Sequence, residues 1–380
     1  MRVSVVIPCL NEADTLAACI AGAREGLGAC DPGGEVIVAD NGSSDGSREI
    51  AVAGGARLVD VAERGYGSAL LAGIRAARGE WIIMGDADDS YDFREIPRFV
   101  AALAAGPELV QGCRLPSGGG TILPGAMPFL HRWVGNPLLS GLVRWWFGAR
   151  IRDVHCGLRG FRKALVERLD LQCTGMEFAS EMIVKAAVAG VPMAEVPITL
   201  RPDGRVSSRR HLRTFRDGWR HLRFLLLYSP RWLFQVPGLM LVLLGLAGYA
   251  LALPRASIAG VRFDVHTMLV ASLAIVCGFQ AIAFSVLART FASIEGLLPD
   301  SRAPVGPAQL ERSMLVSCIA VVLGIALILV AVNEWRLAGF GDLDYSRTMR
   351  WVIPGVMFTT LGVQLTLASF FLSLITLGRR

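Results

Sequence analysis

The stretch Trp81-Ile82-Ile83-Met84-Gly85-Asp86-Ala87-Asp88-Asp89-Ser90-Tyr91-Asp92 decides the reading of the chain. An apolar strand runs straight into Asp86-Ala87-Asp88. That arrangement places carboxylates at the open carboxyl edge of a parallel sheet, where α/β proteins bind their ligands. Hard divalent metals favour oxygen ligands, and Mg2+ typically bridges one or two carboxylates to substrate phosphates. The segment is therefore suited to hold a nucleotide diphosphate.

Outward from it, residues 1–200 read as βαβαβα, with strands near 3–7, 35–39, 56–60, 81–85 and 108–112. Helical patterns fill the gaps at about 12–27, 44–54, 67–78 and 94–105. Short strands alternating with helices imply a mostly parallel sheet covered on both faces. Polar loops follow the strands at one edge. The first strand ends in Pro8-Cys9-Leu10-Asn11-Glu12, where Pro8 stops the strand and Asn11 suits a helix cap. The second ends in Asp40-Asn41-Gly42-Ser43-Ser44-Asp45-Gly46, whose carboxylate and amide suit a base or a ribose; alone, it is also only a turn and a cap. Arg64-Gly65-Tyr66-Gly67 follows the third, with small residues that let a ligand approach the backbone. Four loops converging on one edge weigh more than any one of them.

The second half is different. The chain has 380 residues and is 53% hydrophobic, too apolar for an ordinary soluble protein. Four apolar runs, at about 233–253, 267–288, 313–332 and 352–377, each come close to the ~20 residues that cross a bilayer core. None contains Asp, Glu, Lys or Arg, which removes weight from an ion or proton pathway. The opening Met-Arg-Val-Ser-Val-Val-Ile-Pro is too short for a signal core and reads as a buried strand. The cysteines show no CxxC spacing and suit a reducing compartment.

The net charge is +6, almost all of its positive part Arg. Residues 205–231 hold eight Arg and one Asp, and the chain ends in Arg379-Arg380. Four spans put both termini on one side, and these charges put that side in the cytoplasm. Leu212, Phe215, Trp219, Leu222 and Leu226 recur at steps of three and four, with Arg209, Arg213, Arg216, Arg220 and Arg223 opposite. This is an interfacial amphipathic helix suited to anionic headgroups. Nucleic acid is a poor partner for it, because the basic patch joins a membrane anchor directly.

The motifs Pro8-x-x-Asn11-Glu12, Asp40-Asn41-Gly42-Ser43-Ser44-Asp45 and Asp86-Ala87-Asp88 resemble those of family 2 glycosyltransferases of the GT-A fold. The run Asp153-Val154-His155-Cys156-Gly157-Leu158-Arg159-Gly160-Phe161-Arg162-Lys163, with Gly175-Met176-Glu177-Phe178, narrows the resemblance to dolichyl- or polyprenyl-phosphate sugar synthases. The resemblance covers residues 1 to about 232. It implies an α/β GT-A catalytic domain over 1–205, a basic juxtamembrane helix over 206–232 and a transmembrane domain over 233–380.

The resemblance also implies roles. Pro8, Asn11, Glu12, Asp40 and Asn41 hold the nucleoside; Asp86 and Asp88 face the ribose and a Mg2+ or Mn2+ ion, with Asp88 the principal ligand. Arg114 binds the acceptor phosphate, Arg132 shares that role, and His131 sits where relatives carry a basic residue. Arg159 and Arg201 contact the diphosphate, and Asp153 or Glu177 orients sugar hydroxyls. Gly118-Gly119-Gly120, inside Pro116–Pro128, suggests a loop that orders on substrate. Two positions depart from the family: Ser90 stands where relatives carry Gln, and Ser207 where many carry Lys, with Arg205, Arg209 or Arg210 as substitutes.

The implied reaction is inverting transfer of a hexose from a nucleotide-diphosphate sugar to a polyprenyl phosphate at the cytoplasmic face, glucose favoured and mannose from GDP-mannose the alternative. Assembly into a homo-oligomer through the spans stays open. A processive polysaccharide synthase is a weaker reading, since Tyr228 stands where the Gln of a Gln-x-x-Arg-Trp motif is required before Arg231-Trp232. A non-catalytic nucleotide-sugar-binding scaffold is the other, and the intact acidic motif weighs against it.

Overall fold

A computed structural model describes residues 2–206, 214–258, 260–294 and 307–377, with the backbone alone at 214–217, 307–309 and 377. Ser207, Arg209, Arg210, Leu212, Arg213 and the terminal arginines lie outside the described residues, as do the side chains of Phe215 and Arg216. The chain divides into two units, Met1–Leu225 and Leu226–Arg380.

The first unit contains β1 (Val3–Cys9), α1 (Leu16–Cys30), β2 (Glu35–Asp40), α2 (Ser47–Ala53), β3 (Arg57–Asp60), α3 (Tyr66–Ala76), β4 (Trp81–Met84), α4 (Ile96–Ala104) and β5 (Leu109–Cys113). It continues through β6 (Thr121–Ile122), α5 (Asn136–Phe147), β7 (Arg159–Arg162), α6 (Lys163–Leu169), α7 (Phe178–Val188), β8 (Met193–Pro197), β9 (Thr199–Leu200) and α8 (Thr214–Leu227), which runs past the division into the second unit. Seven strands pair in the order β3-β2-β1-β4-β7-β5-β8. β1, β2, β3 and β4 are mutually parallel and β5 is parallel to β8, while β7 runs antiparallel to both β4 and β5. β1 is buried along its whole length, as expected of a parallel strand covered on both faces. Val5, Ile7, Val38 and Ile83 form one core with Phe93 and Phe99. Because β1, β2 and β4 share a direction, their loops leave at one edge, and Asn11, Asp40 and Asp86 gather there.

Two expectations change. β7 and β8 add to the five strands read from sequence. The Gly118–Gly120 loop is closely packed: a Cβ on Gly120 would lie 2.1 Å from the Cys113 carbonyl oxygen, and one on Gly118 2.3 Å from Cys113 Sγ. These glycines serve close approach. The loop then enters β6, which pairs with β9.

The second unit contains α9 (Val236–Ala252), a β10–β11 hairpin (Ser257–Ile258 and Val261–Arg262), α10 (Val265–Ile294), α11 (Pro307–Leu337) and α12 (Tyr345–Leu377). Among the described residues, four helices are long and apolar enough to cross a membrane: Arg231–Ala252, Val265–Ile294, Leu310–Leu337 and Tyr345–Thr376. They outrun the apolar runs, so Arg289, Glu334, Arg336, Arg347 and Arg350 lie in their end turns. Glycines bring them into backbone contact: a Cβ on Gly238 would lie 2.7 Å from the Gly278 carbonyl oxygen, and one on Gly355 2.9 Å from that of Gly324, the small-residue packing usual between membrane helices. Arg350 pairs with Asp264 and donates to the carbonyls of Ala252 and Leu253 at the end of α9, where the last turn of a helix leaves carbonyls without intrahelical partners.

Candidate active site

Asp86 and Asp88 follow β4 at the carboxyl edge and are both partly exposed. Each spends one oxygen on the protein. Asp86 Oδ1 accepts from the Tyr66 hydroxyl at 2.8 Å. Asp88 Oδ1 accepts from the Ser90 hydroxyl at 2.6 Å and the Ser90 N–H at 3.1 Å. Ser90, the departure from the family pattern, thus fixes the rotamer of Asp88. Asp86 Oδ2 lies against Gly157, where an added Cβ would come within 2.3 Å of it. Burial, and then the charge of Asp88, raise the Asp86 carboxyl above its usual range.

Arg205 closes this side. Its guanidinium grips Glu12 in two hydrogen bonds, reaches Asp203 at 3.1 Å and lies 3.7 Å from Asp88 Oδ2. Of the three substitutes for the missing Lys, Arg205 is the one within the described residues, and it faces the acidic motif. Glu12 is buried and engaged by this arginine.

The loops after β1 and β2 brace each other. Asn11, at φ 58°, accepts from the Ser44 N–H on its side-chain oxygen and donates its own N–H to the Ser43 hydroxyl oxygen. It therefore does not cap α1, which begins at Leu16 after Thr15. Thr15 instead donates to the Ala87 carbonyl at 2.6 Å, tying α1 to the acidic loop. Pro8 is buried within β1. Asp40 is buried, accepts from Gly42 and Ser43 and pairs with Arg48. The Asn41 amide donates to the carbonyls of Val61 and Glu63 and accepts from the Gly65 N–H. These two residues shape the pocket wall rather than presenting free groups to it.

The Gly65–Gly67 turn is approached by the chain itself, not left open. The Thr174 carbonyl accepts from the N–H groups of Gly67 and Ser68 at 2.9 and 3.2 Å, and a Cβ on Gly65 would come within 2.2 Å of it.

Across the cleft, Arg114 is buried against Asp153. Its Nε, its Nη2 and its backbone N–H donate to the two carboxylate oxygens at 2.7–2.9 Å, and Nη1 faces the Tyr91 hydroxyl at 3.5 Å. Burial works to raise the Asp153 pKa, and the Arg114 charge outweighs it and holds the carboxyl below its usual range. Asp153 is fully buried, so it orients Arg114 and not sugar hydroxyls. His131 is half-buried; burial and then the Arg114 charge lower its pKa. Arg132 lies over the Trp133 ring at 5.4 Å and, among the described residues, makes no ion pair. Arg201 is partly exposed and pairs with Asp92.

Arg159 is not a diphosphate contact. It is fully buried, and its guanidinium donates to the carbonyls of Ala179 and Cys156 at 2.9 Å each. Glu177 does not cap α7 with its side chain, and its Oε2 is buried without a hydrogen-bond partner among the described residues. Tyr66, which donates to Asp86, and Tyr91, which accepts from the Gly157 N–H, are not visible in the sequence, because a tyrosine gives no local sign of which distant group it will reach.

No group of three or more His, Cys, Asp or Glu able to hold a metal occurs among the described residues. Two carboxylates, each with an oxygen left over from its hydrogen bond to Tyr66 or Ser90, that of Asp88 facing Arg205 at 3.7 Å, fit a hard divalent ion whose remaining positions are filled by phosphate oxygens and water.

Residues 4–170 match the glycosyl transferase family 2 model, and residues 286–376 match the C-terminal transmembrane region of family 2 glycosyltransferases. The low-salt glycan biosynthesis hexosyltransferase Agl6 of Haloferax volcanii is 35% identical over 372 residues, 97% of this chain and 88% of that protein. The chain belongs to glycosyltransferase family 2. Other relatives of this family 2 glycosyltransferase include a dolichyl-phosphate hexose transferase of Haloferax volcanii, 33% identical over 44% of this chain and 70% of that protein. An undecaprenyl-phosphate 4-deoxy-4-formamido-L-arabinose transferase of Edwardsiella ictaluri is 35% identical over 45% of this chain and 52% of that protein. The first unit is thus the GT-A domain of a membrane glycosyltransferase.

Proposed function

We propose that this enzyme transfers a hexose, with inversion, from a nucleotide-diphosphate sugar to a polyprenyl (dolichyl or undecaprenyl) phosphate at the cytoplasmic face of the membrane. The observation that carries the reading is the pairing of two polarities at one sheet edge. Asp86 and Asp88 stand on one side with Arg205, and Arg114 stands on the other with His131 near enough to feel its charge. The relatives that act on dolichyl and undecaprenyl phosphates support the acceptor class, and the four membrane-length helices suit a lipid substrate.

A lipid phosphate is anionic at neutral pH, so its oxygen attacks the anomeric carbon without a strong general base. The difficulty is to hold two anions close together in line. Asp86 and Asp88 would hold Mg2+ or Mn2+, which when bound offsets the charge of the leaving diphosphate. Arg205 stands beside that position and takes the diphosphate when it exchanges Glu12 for the ligand. On the acceptor side Arg114 has its charge matched by Asp153, which leaves Arg132 as the cation for the lipid phosphate and Arg114 as its rigid backing. Asp40 and Asn41 set the shape of the nucleoside wall. The basic 205–231 stretch supports a cytoplasmic catalytic domain.

The test is nucleotide release by the purified protein with Mg2+ and a polyprenyl phosphate, offering UDP-glucose, UDP-galactose, UDP-N-acetylglucosamine and GDP-mannose in turn. The expected result is lipid-dependent release from UDP-glucose, lost in Asp88→Ala. Release from GDP-mannose alone would change the sugar and keep the reaction. Release from none by a folded protein would overturn the acceptor.

A further inference from the structure

The run Asp153-Val154-His155-Cys156-Gly157 places a histidine two residues after the carboxylate that fixes Arg114. Burial, and then the charge of His221, push the His155 pKa down to about 3, so the ring is neutral near pH 7 and offers no cation to a phosphate. It meets other partners. Ser180 of α7 is fully buried, and its hydroxyl lies 3.4 Å from His155 Nε2 and 2.8 Å from His221 Nδ1. A hydroxyl donates one proton and accepts on its lone pairs, so it can serve both rings. The two imidazoles meet edge to face, with centroids 4.9 Å apart and planes at 87°.

His221 belongs to α8. Phe224 and Leu225, three and four residues on and so on the same face, are buried, whereas Trp219 on the far side is 59% exposed. The helix packs one face inward and leaves the other open. On the domain side the contact is fastened further. Arg159 donates to the carbonyls of Ala179 and Cys156, which adjoin Ser180 and His155 in the chain. The start of α7 and the loop that carries Asp153 are thus joined twice, by a guanidinium and by the shared hydroxyl. Asp153 in turn holds Arg114 through its side chain and its backbone N–H.

On the reading that Arg114 backs the acceptor phosphate, we propose that His221 is a positioning residue for that phosphate: seated on Ser180, it sets the 153–156 loop and, through Asp153, the guanidinium of Arg114. His221 acts through its neighbours and not on a reacting atom. Affinity for the lipid phosphate then depends on how the helix before the first span sits on the domain.

The experiment uses the full chain in nanodiscs. His221→Phe keeps a ring and removes the hydrogen bond, and His221→Asn puts an amide near the Nδ1 position. Ser180→Ala removes the same bond from the buried side with little change in volume. Hydrogen exchange is followed in peptides that cover Arg114 and Val154, whose N–H groups donate to Asp153 and Ser140. The expected result is exchange about 3- to 10-fold faster at both in His221→Phe and in Ser180→Ala, the size of one hydrogen bond. The KM for polyprenyl phosphate should rise by the same factor, while kcat and the KM for the nucleotide sugar hold. His221→Asn should recover, and S180A/H221F should be no worse than either single variant. Faster exchange confined to α8, an unchanged lipid KM, or both KM values rising together would mean that His221 only anchors its helix, and each overturns the proposal. Exchange is read without turnover, so a wild type that ignores polyprenyl phosphate refutes the acceptor while the exchange still decides the coupling.

Discussion

The Tyr66 hydroxyl, on the first turn of α3, donates to Oδ1 of Asp86 at the end of β4 at 2.8 Å. The bond ties a helix to a carboxylate proposed to hold the metal ion and leaves its Oδ2 without a hydrogen bond from Tyr66. Tyr66→Phe keeps the ring and removes the donor. Partners of metal-ligating groups typically contribute about 10- to 100-fold to metal affinity. The variant is expected to bind Mn2+ with UDP more weakly by that order, with an unchanged unfolding transition. Calorimetric titration checks it, and equal affinity would show that the hydroxyl only fills space.

The raised Asp86 carboxyl sets a pH dependence. Its pKa moves from 3.8 to about 6 through burial and the neighbouring Asp88 charge. Divalent-ion and donor binding therefore decline as pH falls through about 6, not through the ordinary carboxylate range. Folding stability responds with the opposite sign. Between those two values the folded state binds more protons than the unfolded chain, so this group makes the protein more stable as pH falls. Mn2+ affinity and urea midpoints across pH 4.5–7 test both halves, and Asp86→Asn should flatten both curves.

Arg205 and Glu12 form a gripped pair in which Glu12 is buried. Arg205→Ala strands that carboxylate and removes the cation beside Asp88. Hydrogen bonds to charged groups contribute ~1.5–3 kcal/mol, so the KM for the nucleotide sugar should rise about 10- to 100-fold. Arg205→Lys should recover part of the charge effect but not the two-point grip on Glu12. Steady-state kinetics on the three proteins separates these effects.

Arg114 and Asp153 are a buried ion pair. Removing one partner from such a pair costs about 3–5 kcal/mol, because the other is left buried and uncompensated. Asp153→Ala should therefore destabilise the domain by about that much. The double variant R114A/D153A should be more stable than D153A and still inactive. Urea unfolding and nucleotide release together decide this; a double variant no more stable than D153A would show that the pair is not energetically coupled.

The carboxyl edge of the sheet could be read from sequence because each strand is a short apolar run that stops at polar residues, as at Met84-Gly85-Asp86. β7 could not. Arg159-Gly160-Phe161-Arg162 has no apolar alternation, and it is held as a strand by ladders on both sides, to Trp81–Met84 and Leu109–Gln111. For the same reason Arg159 looked like a ligand: its charge is visible in the sequence, whereas the carbonyls of Ala179 and Cys156 that receive it come together only on folding. Asn41 and Asp40 were found at the right edge but in bracing positions. Their partners Val61, Glu63 and Arg48 lie elsewhere in the chain, and short polar side chains prefer such loop bonds. Ser90, the departure from the family pattern, holds Asp88 through its hydroxyl and N–H, a contact that the sequence does not reveal.

The Thr174 carbonyl occupies the first amides of α3. A helix start is the usual backbone cradle for phosphate, and here that cradle is already filled by the chain. In the proposed mechanism anion affinity then rests on guanidinium side chains and the divalent ion, without help from the amides of this helix start. Such attraction is screened by salt over about 8–10 Å at physiological ionic strength. The grip on the spent nucleotide should therefore loosen with rising salt faster than in enzymes that hold phosphate by backbone, and turnover limited by product departure would quicken before it fails.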